Sequence, residues 1–177
     1  IGNIEGEIIM IPKVIHYIWF GGKPLPELAQ KCIASWRKYL PDYEIKRWDE
    51  TNFDINIIPY TQEAAQAKKW AFVSDYARFW ILYHYGGVYF DTDVEVIRPM
   101  DDILEQGPYM GCESGDIESG ITINPGVGFA SEAKSDVLKA LLNEYNNRHF
   151  DPDNIDITIV GYTTEYFKQR GFKNEVS

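Results

Sequence analysis

At 177 residues, with 45% hydrophobic and 15% aromatic side chains, the chain is long enough for one domain with a real core. Its formal charge of −10, from 17 basic and 27 acidic side chains, argues against a nucleic-acid partner, because such partners need Lys and Arg to neutralise phosphates. No apolar run reaches the roughly 18 residues of a membrane span, and Cys32 and Cys112, far apart and without CxxC spacing, define no disulfide framework.

A reducing, cytoplasmic compartment is the simpler expectation for two such thiols. Residues 1–10 read as an N-terminal extension, vector-derived ahead of a Met10 that looks like a natural start. Residues 11–177 then form a single α/β domain.

Lys13 to Phe20 (KVIHYIWF) predicts a central strand, apolar almost throughout and covered on both faces. Gly21-Gly22 ends it, and Pro24 and Pro26 stiffen the next turn. Trp19 closes the strand at its carboxyl end, where open α/β sheets bind ligands, so it is either a stacking platform or a core tryptophan. His16, flanked by apolar residues, reads as a satisfied core histidine. Glu27 to Leu40 predicts a helix whose inner stripe is Leu28, Cys32, Ile33, Trp36 and Leu40. Tyr43 to Trp48 is a second strand, and this strand–helix–strand order implies parallel pairing.

Asp49 to Tyr60 reads as irregular, and Thr61 to Lys69 as a mostly solvent-facing helix. Trp70 to Tyr85 is an apolar helix, stopped by Gly86-Gly87. Val88 to Ile97 follows as an apolar strand, then a turn at Arg98 to Asp102. Tyr109 to Glu113 predicts a strand, Ser114 to Ser119 a loop, and Ile121 to Ala130 two strand-like ends around Asn124-Pro125-Gly126. Ser135 to Arg148 is a helix with Val137, Leu138, Leu141, Leu142 and Tyr145 inward. Asp151 to Asp156 is a loop, Ile157 to Val160 a short apolar segment, and Thr163 to Arg170 a final helix ending at Gly171.

Trp70 to Pro99 concentrates charge inside apolar surface. Asp75 and Arg78, three apart, share one helix face, and Ser74 beside them caps the helix or touches the same ligand. A buried charge needs a partner, so the two either satisfy one another or await a ligand. On the strand, Tyr89, Asp91 and Asp93 share a side, with same-side neighbours roughly 7 Å apart. Two carboxylates so spaced can grip a hydrated Mg²⁺ or Mn²⁺, ions that take oxygen ligands and keep positions open for phosphate. Two solvated acids on an edge strand are the plainer alternative.

The run A-F-V-S-D-Y-A-R-F-W-I-L-Y-H-Y-G-G-V-Y-F-D-T-D-V-E-V resembles the DXD-containing sugar-transferase region of glycosyltransferase family 32. The opening I-P-K-V-I-H-Y-I-W-F-G-G and the later S-W-R-K-Y-L-P-D-Y-E-I-K-R-W-D resemble the family's bacterial, capsular-polysaccharide members. The resemblance runs from about Ile11 to about Phe129. It implies a GT-A-type, Rossmann-like fold with a mixed, mostly parallel central sheet flanked by helices. It implies a retaining transferase that uses a UDP- or GDP-hexose donor, a glycan acceptor, and Mn²⁺ or Mg²⁺.

By the same resemblance, Trp19 stacks on the donor base and Asp75 lies near its ribose and sugar; Ser74, adjacent to Asp75, is counted with the donor-binding residues. Arg78 contacts the sugar or phosphate, and Tyr89 lies near the diphosphate. Asp91 reaches ribose and metal-bound water, and Asp93 holds the metal. Asp75, Arg78, Asp91 and Asp93 are thus the catalytic candidates, with Asp91 and Asp93 as the metal pair. The setting implied is bacterial surface-polysaccharide synthesis, cytoplasmic, with peripheral association at the inner face of the membrane. Family members continue into a C-terminal stretch carrying a His and a Ser-Trp pair, which is expected to be missing here. A catalytically inactive nucleotide-sugar or carbohydrate-binding module is the alternative. A metal-dependent nuclease or phosphatase fits D-x-D but has no use for Trp19.

Overall fold

The computed structural model describes residues 10–114, 120–153 and 158–172. Strand β1 (Val14–Ile18) is an interior strand of a five-stranded sheet. It is flanked in the sheet by β2 (Glu44–Trp48) and β3 (Gly87–Tyr89), both parallel to it. Beyond β3 lie β7 (Phe129–Ser131) and, at the edge, β4 (Tyr109–Met110), each antiparallel to its neighbour. The order is β2-β1-β3-β7-β4, with β7 alone reversed in direction, so the expected mixed, mostly parallel sheet is borne out. β5 (Cys112–Ser114) and β6 (Ile121–Ile123) form a separate antiparallel pair.

The alternation of β1 divides the core. Ile15 and Tyr17 face one layer, with Cys32, Ile33 and Trp36 of α1 (Glu27–Tyr39). Ile18 faces the other, with α3 (Trp70–Tyr85) and α5 (Asp136–Tyr145). The sheet is therefore covered on both faces, as its unbroken apolar strands require. His16 is buried and neutral in form: Trp48 Nε1 donates to its Nδ1 at 3.0 Å, and its Nε2 lies 2.9 Å from the Gly86 carbonyl. It is the satisfied core histidine expected.

Several elements depart from the sequence reading. Leu28 is exposed and Ala29 takes the inward place on α1; Val137 likewise turns outward on α5. α2 (Pro59–Gln66) starts before Thr61, because Pro59 at its first turn presets a helical φ, and it buries Tyr60, Thr61, Ala64 and Ala65. It stops at a left-handed Lys68 (φ 57°), short of Lys69. The segment after Gly86-Gly87 is a strand only through Tyr89, and Ile97 is exposed. The predicted turn after Arg98 holds a short helix, α4 (Asp101–Leu104). The predicted strand at Tyr109 to Glu113 splits at Gly111 between the two sheets, and Gly111 N–H bonds the Gly128 carbonyl at 2.7 Å. α6 (Ile159–Lys168) starts earlier than Thr163 because Thr158 caps it, accepting from Gly161 N–H at 3.2 Å.

The glycine pair is needed where it stands. Gly86 and Gly87 both have positive φ, 65° and 112°, and a side chain on Gly87 would press on the Val14 carbonyl of β1. The expected N-terminal extension before Met10, most of the expected loop at 114–119, residues 154–157, and the residues after Phe172 lie outside the described residues.

Candidate functional site

β1 delivers Trp19 to the carboxyl end of the sheet, and Phe90 continues from β3 beside it, its N–H bonding the His16 carbonyl at 3.3 Å. There the chain opens a cleft of about 860 Å³ between the loop at Trp19 to Lys23, the N-terminal half of α3, and Tyr89 to Asp93. The D-x-D residues do not lie on an extended strand. Asp91 to Val94 form a turn, closed by Val94 N–H to the Asp91 carbonyl at 3.1 Å. The turn places Asp91 partly under cover and leaves Asp93 exposed at the cleft.

Asp91 is held from three directions. Tyr89 Oη donates to its Oδ1 at 2.6 Å, Arg78 Nη2 lies 3.3 Å from the same oxygen, and its backbone N–H bonds the Gly126 carbonyl at 3.1 Å. Arg78 is buried. Its Nη2 also donates to Asp75 Oδ1 at 3.1 Å, its Nε to the Ser74 carbonyl at 3.2 Å, and its guanidinium stacks 5.0 Å from the Tyr89 ring centroid. Burial works against the guanidinium charge, but Tyr89, Asp91 and Asp75 outweigh it and raise its pKa. Burial pushes Asp75 up to about 6, opposed by Arg78 and reinforced by Asp91. Burial likewise holds the Tyr89 hydroxyl well above its usual value, so it remains a proton donor.

The structure brings Trp19, Ser74, Arg78, Tyr89, Asp91 and Asp93 together along one cleft. Asp75 touches it only through Arg78, with a side chain 13% exposed. Ser74 is no cap: the helix starts at Trp70, and Ser74 Oγ donates back to the Ala71 carbonyl at 2.7 Å. Trp19 has elements of both readings, lining the cleft while packing partly on the core, with its Nε1–H donated to the Lys23 carbonyl at 2.7 Å.

Sequence reasoning missed three supports. Gly126 lies so close to Asp91 that an added Cβ would collide with the carboxylate. Asn124 accepts Gly126 N–H at 2.8 Å and donates to Glu113 at 3.1 Å, which shapes the loop. α1 fastens the segment after the turn: Trp36 Nε1 donates to the Val94 carbonyl at 2.8 Å, and Ser35 Oγ accepts Val96 N–H at 2.9 Å. Only the Asn-Pro-Gly sequence signalled a turn here.

Among the described residues no group of three or more His, Cys, Asp or Glu surrounds a point where a metal could sit. Asp91 already has Tyr89 and Arg78 as partners, whereas Asp93 is exposed at the cleft. This fits Mg²⁺ or Mn²⁺ better than a closed protein cage, since such ions take one or two carboxylates and complete their shell with phosphates and water. No helix among the described residues is long and apolar enough to cross a membrane.

Comparison with known proteins agrees with the motif resemblance. Residues 26–110 match the model of the family described as the glycosyltransferase sugar-binding region containing the DXD motif. The chain is 33% identical over 119 residues to inositol phosphoceramide mannosyltransferase 1 of Schizosaccharomyces pombe, covering 61% of this chain and 36% of that protein. It is 32% identical over 127 residues to inositol phosphoceramide mannosyltransferase 3 of the same yeast, covering 68% and 33%. It therefore spans about a third of the length of these relatives. The solved PaToxG glycosyltransferase shares the fold, with a TM-score of 0.67 at 17% identity, over 92% of this chain and 71% of that one.

Proposed function

Because residues 26–110 match the glycosyltransferase sugar-binding region that contains the DXD motif, we propose that this chain holds the donor site of a metal-dependent, retaining glycosyltransferase. It moves a hexose from a UDP- or GDP-sugar to a glycan acceptor, within a single domain over residues 11–177. The observation that carries this reading is the single cleft shared by Trp19, Arg78, Tyr89, Asp91 and the exposed Asp93.

Each residue has a part in the chemistry. Trp19 offers a flat face for the base on the cleft it shares with the D-x-D turn. Arg78, secured by Asp75, and Tyr89 orient Asp91 toward the donor ribose. Asp93, with Asp91 through water, would hold Mn²⁺ or Mg²⁺, which supplies Lewis-acid stabilisation of the charge that develops on the departing diphosphate. Retention through a covalent intermediate would need a carboxylate nucleophile beneath the anomeric carbon. Asp91 is bonded to Tyr89 and Arg78, and Asp75 is buried behind Arg78, so neither is placed for that role. Front-face attack by the acceptor, assisted by the leaving phosphate, is the route we favour.

The two yeast relatives are named as mannosyltransferases, which makes mannose the first donor sugar to test. The bacterial-type motifs favour a surface-polysaccharide acceptor at the inner face of the membrane. The test incubates the protein with a panel of UDP- and GDP-sugars and Mn²⁺, with nucleoside diphosphate release as the readout. Release that requires Mn²⁺ supports the reading. No release together with no donor binding overturns it.

A further inference from the structure

The cleft's acidic side chains do not suit a diphosphate unless further cations on its wall take part. Arg78 is its deepest cation, but it is already shared between Asp75 at 3.1 Å and Asp91 at 3.3 Å. Asp93 adds another negative charge at the rim. Two other cations line the cleft among the described residues, Lys23 and Lys68. Both are exposed, and no ion pair among the described residues engages either one.

Their positions are built into the backbone. Lys23 follows Trp19 in the loop after β1, and its carbonyl accepts the Trp19 indole N–H at 2.7 Å. The backbone at Lys23 is thereby tied to the aromatic wall of the cleft. Lys68 ends α2, with its N–H on the Ala65 carbonyl at 2.9 Å and a φ of 57°. Glycine is the residue that such a left-handed helix end favours. A lysine there incurs a conformational cost, and the residue lines the cleft.

With both lysines counted, Arg78, Lys23 and Lys68 offset Asp75, Asp91 and Asp93. A divalent cation and the dianionic diphosphate of a nucleotide sugar then cancel one another. Without the lysines, the loaded cleft keeps an excess of negative charge in a protein already at −10. Like charge at short range weakens anion binding.

We propose that Lys23 and Lys68 are the donor's phosphate-recognising residues, supplying positive charge to the same diphosphate whose metal Asp93 would hold. This rests on the glycosyltransferase reading above. It predicts that affinity depends on the ligand's phosphate charge and falls with salt through these two side chains.

Calorimetry tests it, with uridine, UDP, guanosine and GDP in the presence of Mn²⁺, on the wild type, Lys23→Ala, Lys68→Gly and the double variant. Lys68→Gly relieves the left-handed strain while removing the charge, so a loss of affinity in a protein of equal or higher stability is not a folding defect. Each single variant should weaken diphosphate binding about tenfold, the size of one charge-assisted hydrogen bond. The double variant should lose about a hundredfold and most of its salt dependence, with nucleoside binding unchanged. Wild-type diphosphate affinity in the double variant would overturn the lysine assignment alone. A wild type that binds neither diphosphate would overturn the glycosyltransferase reading, and this assignment with it.

Discussion

Tyr89 donates its hydroxyl proton to Asp91 at 2.6 Å, two residues along the same chain, and this bond aims the first carboxylate of the D-x-D turn. The Tyr89 ring is itself buried and stacked on the Arg78 guanidinium. One side chain thus orients the acid and covers its counter-ion. Several consequences can be measured.

Tyr89→Phe keeps the ring and removes the hydroxyl, leaving Asp91 with Arg78 alone. A hydrogen bond to a charged acceptor is worth about 1.5–3 kcal/mol, and urea denaturation should show a loss of that order. Donor binding should weaken in parallel. Unchanged stability would mean that the bond contributes nothing to the fold.

Gly126→Ala tests the close approach of the 124–126 loop. The added methyl would collide with the Asp91 carboxylate, with Asn124 Oδ1 at 3.0 Å and Arg78 Nη1 at 3.2 Å also in contact. Overpacking of this kind costs about 1–3 kcal/mol. Because the displaced group is Asp91, donor affinity should fall further than the stability loss explains, as calorimetry on the folded variant would show.

Asp93→Ala should behave differently. Asp93 is exposed at the turn and has no ion pair among the described residues, so stability should stay within about 0.5 kcal/mol. Mn²⁺-dependent donor binding should disappear. Full turnover in this variant would disprove the metal assignment.

Two buried groups make opposite contributions to the pH dependence of stability. Burial lowers His16 from 6.5 to about 4, against its bond to the Gly86 carbonyl and helped by Lys46. Between those values the unfolded chain holds the proton and the folded one does not, so stability rises with pH and is lost as pH falls toward about 4. Burial raises Asp75 from 3.8 to about 6, so between those values the folded chain holds the proton and stability falls as pH rises. The two largely offset in the wild type. Asp75→Asn removes the descending part, and its stability should climb by about 3 kcal/mol between pH 4 and 6.5. Urea titrations across that range check this; a wild-type profile as steep as the variant's would refute the Asp75 shift.

The sequence allowed much of the fold to be read. Alternating and unbroken apolar strands, the stripe of α1 and the Gly-Gly stop after α3 are local signals, and each element appears close to its predicted place. Errors came where neighbours outweighed local pattern. Leu28 and Val137 fit the helical period but face solvent, while their neighbours Ala29 and Leu138 are buried. The strand after Gly87 looked long because Val94, Val96 and Ile97 are apolar. Val94 and Val96 instead pack as a loop under α1, where Trp36 and Ser35 take their backbone groups.

The sequence by itself determined that Asp75 and Arg78 would share a helix face and that two aspartates would follow the glycine stop, since helical period and chain order are local properties. Only the tertiary structure decided what those charges do. It turned the D-x-D segment into a bend, placed Arg78 between Asp75 and Asp91, and brought Gly126 against the carboxylate from a turn distant in sequence. It also set Lys23 and Lys68 on the same cleft as Asp93. The physical reason is that charge balance and close packing depend on distances through space, and those distances are set by the sheet order that joins β1, β3 and β7.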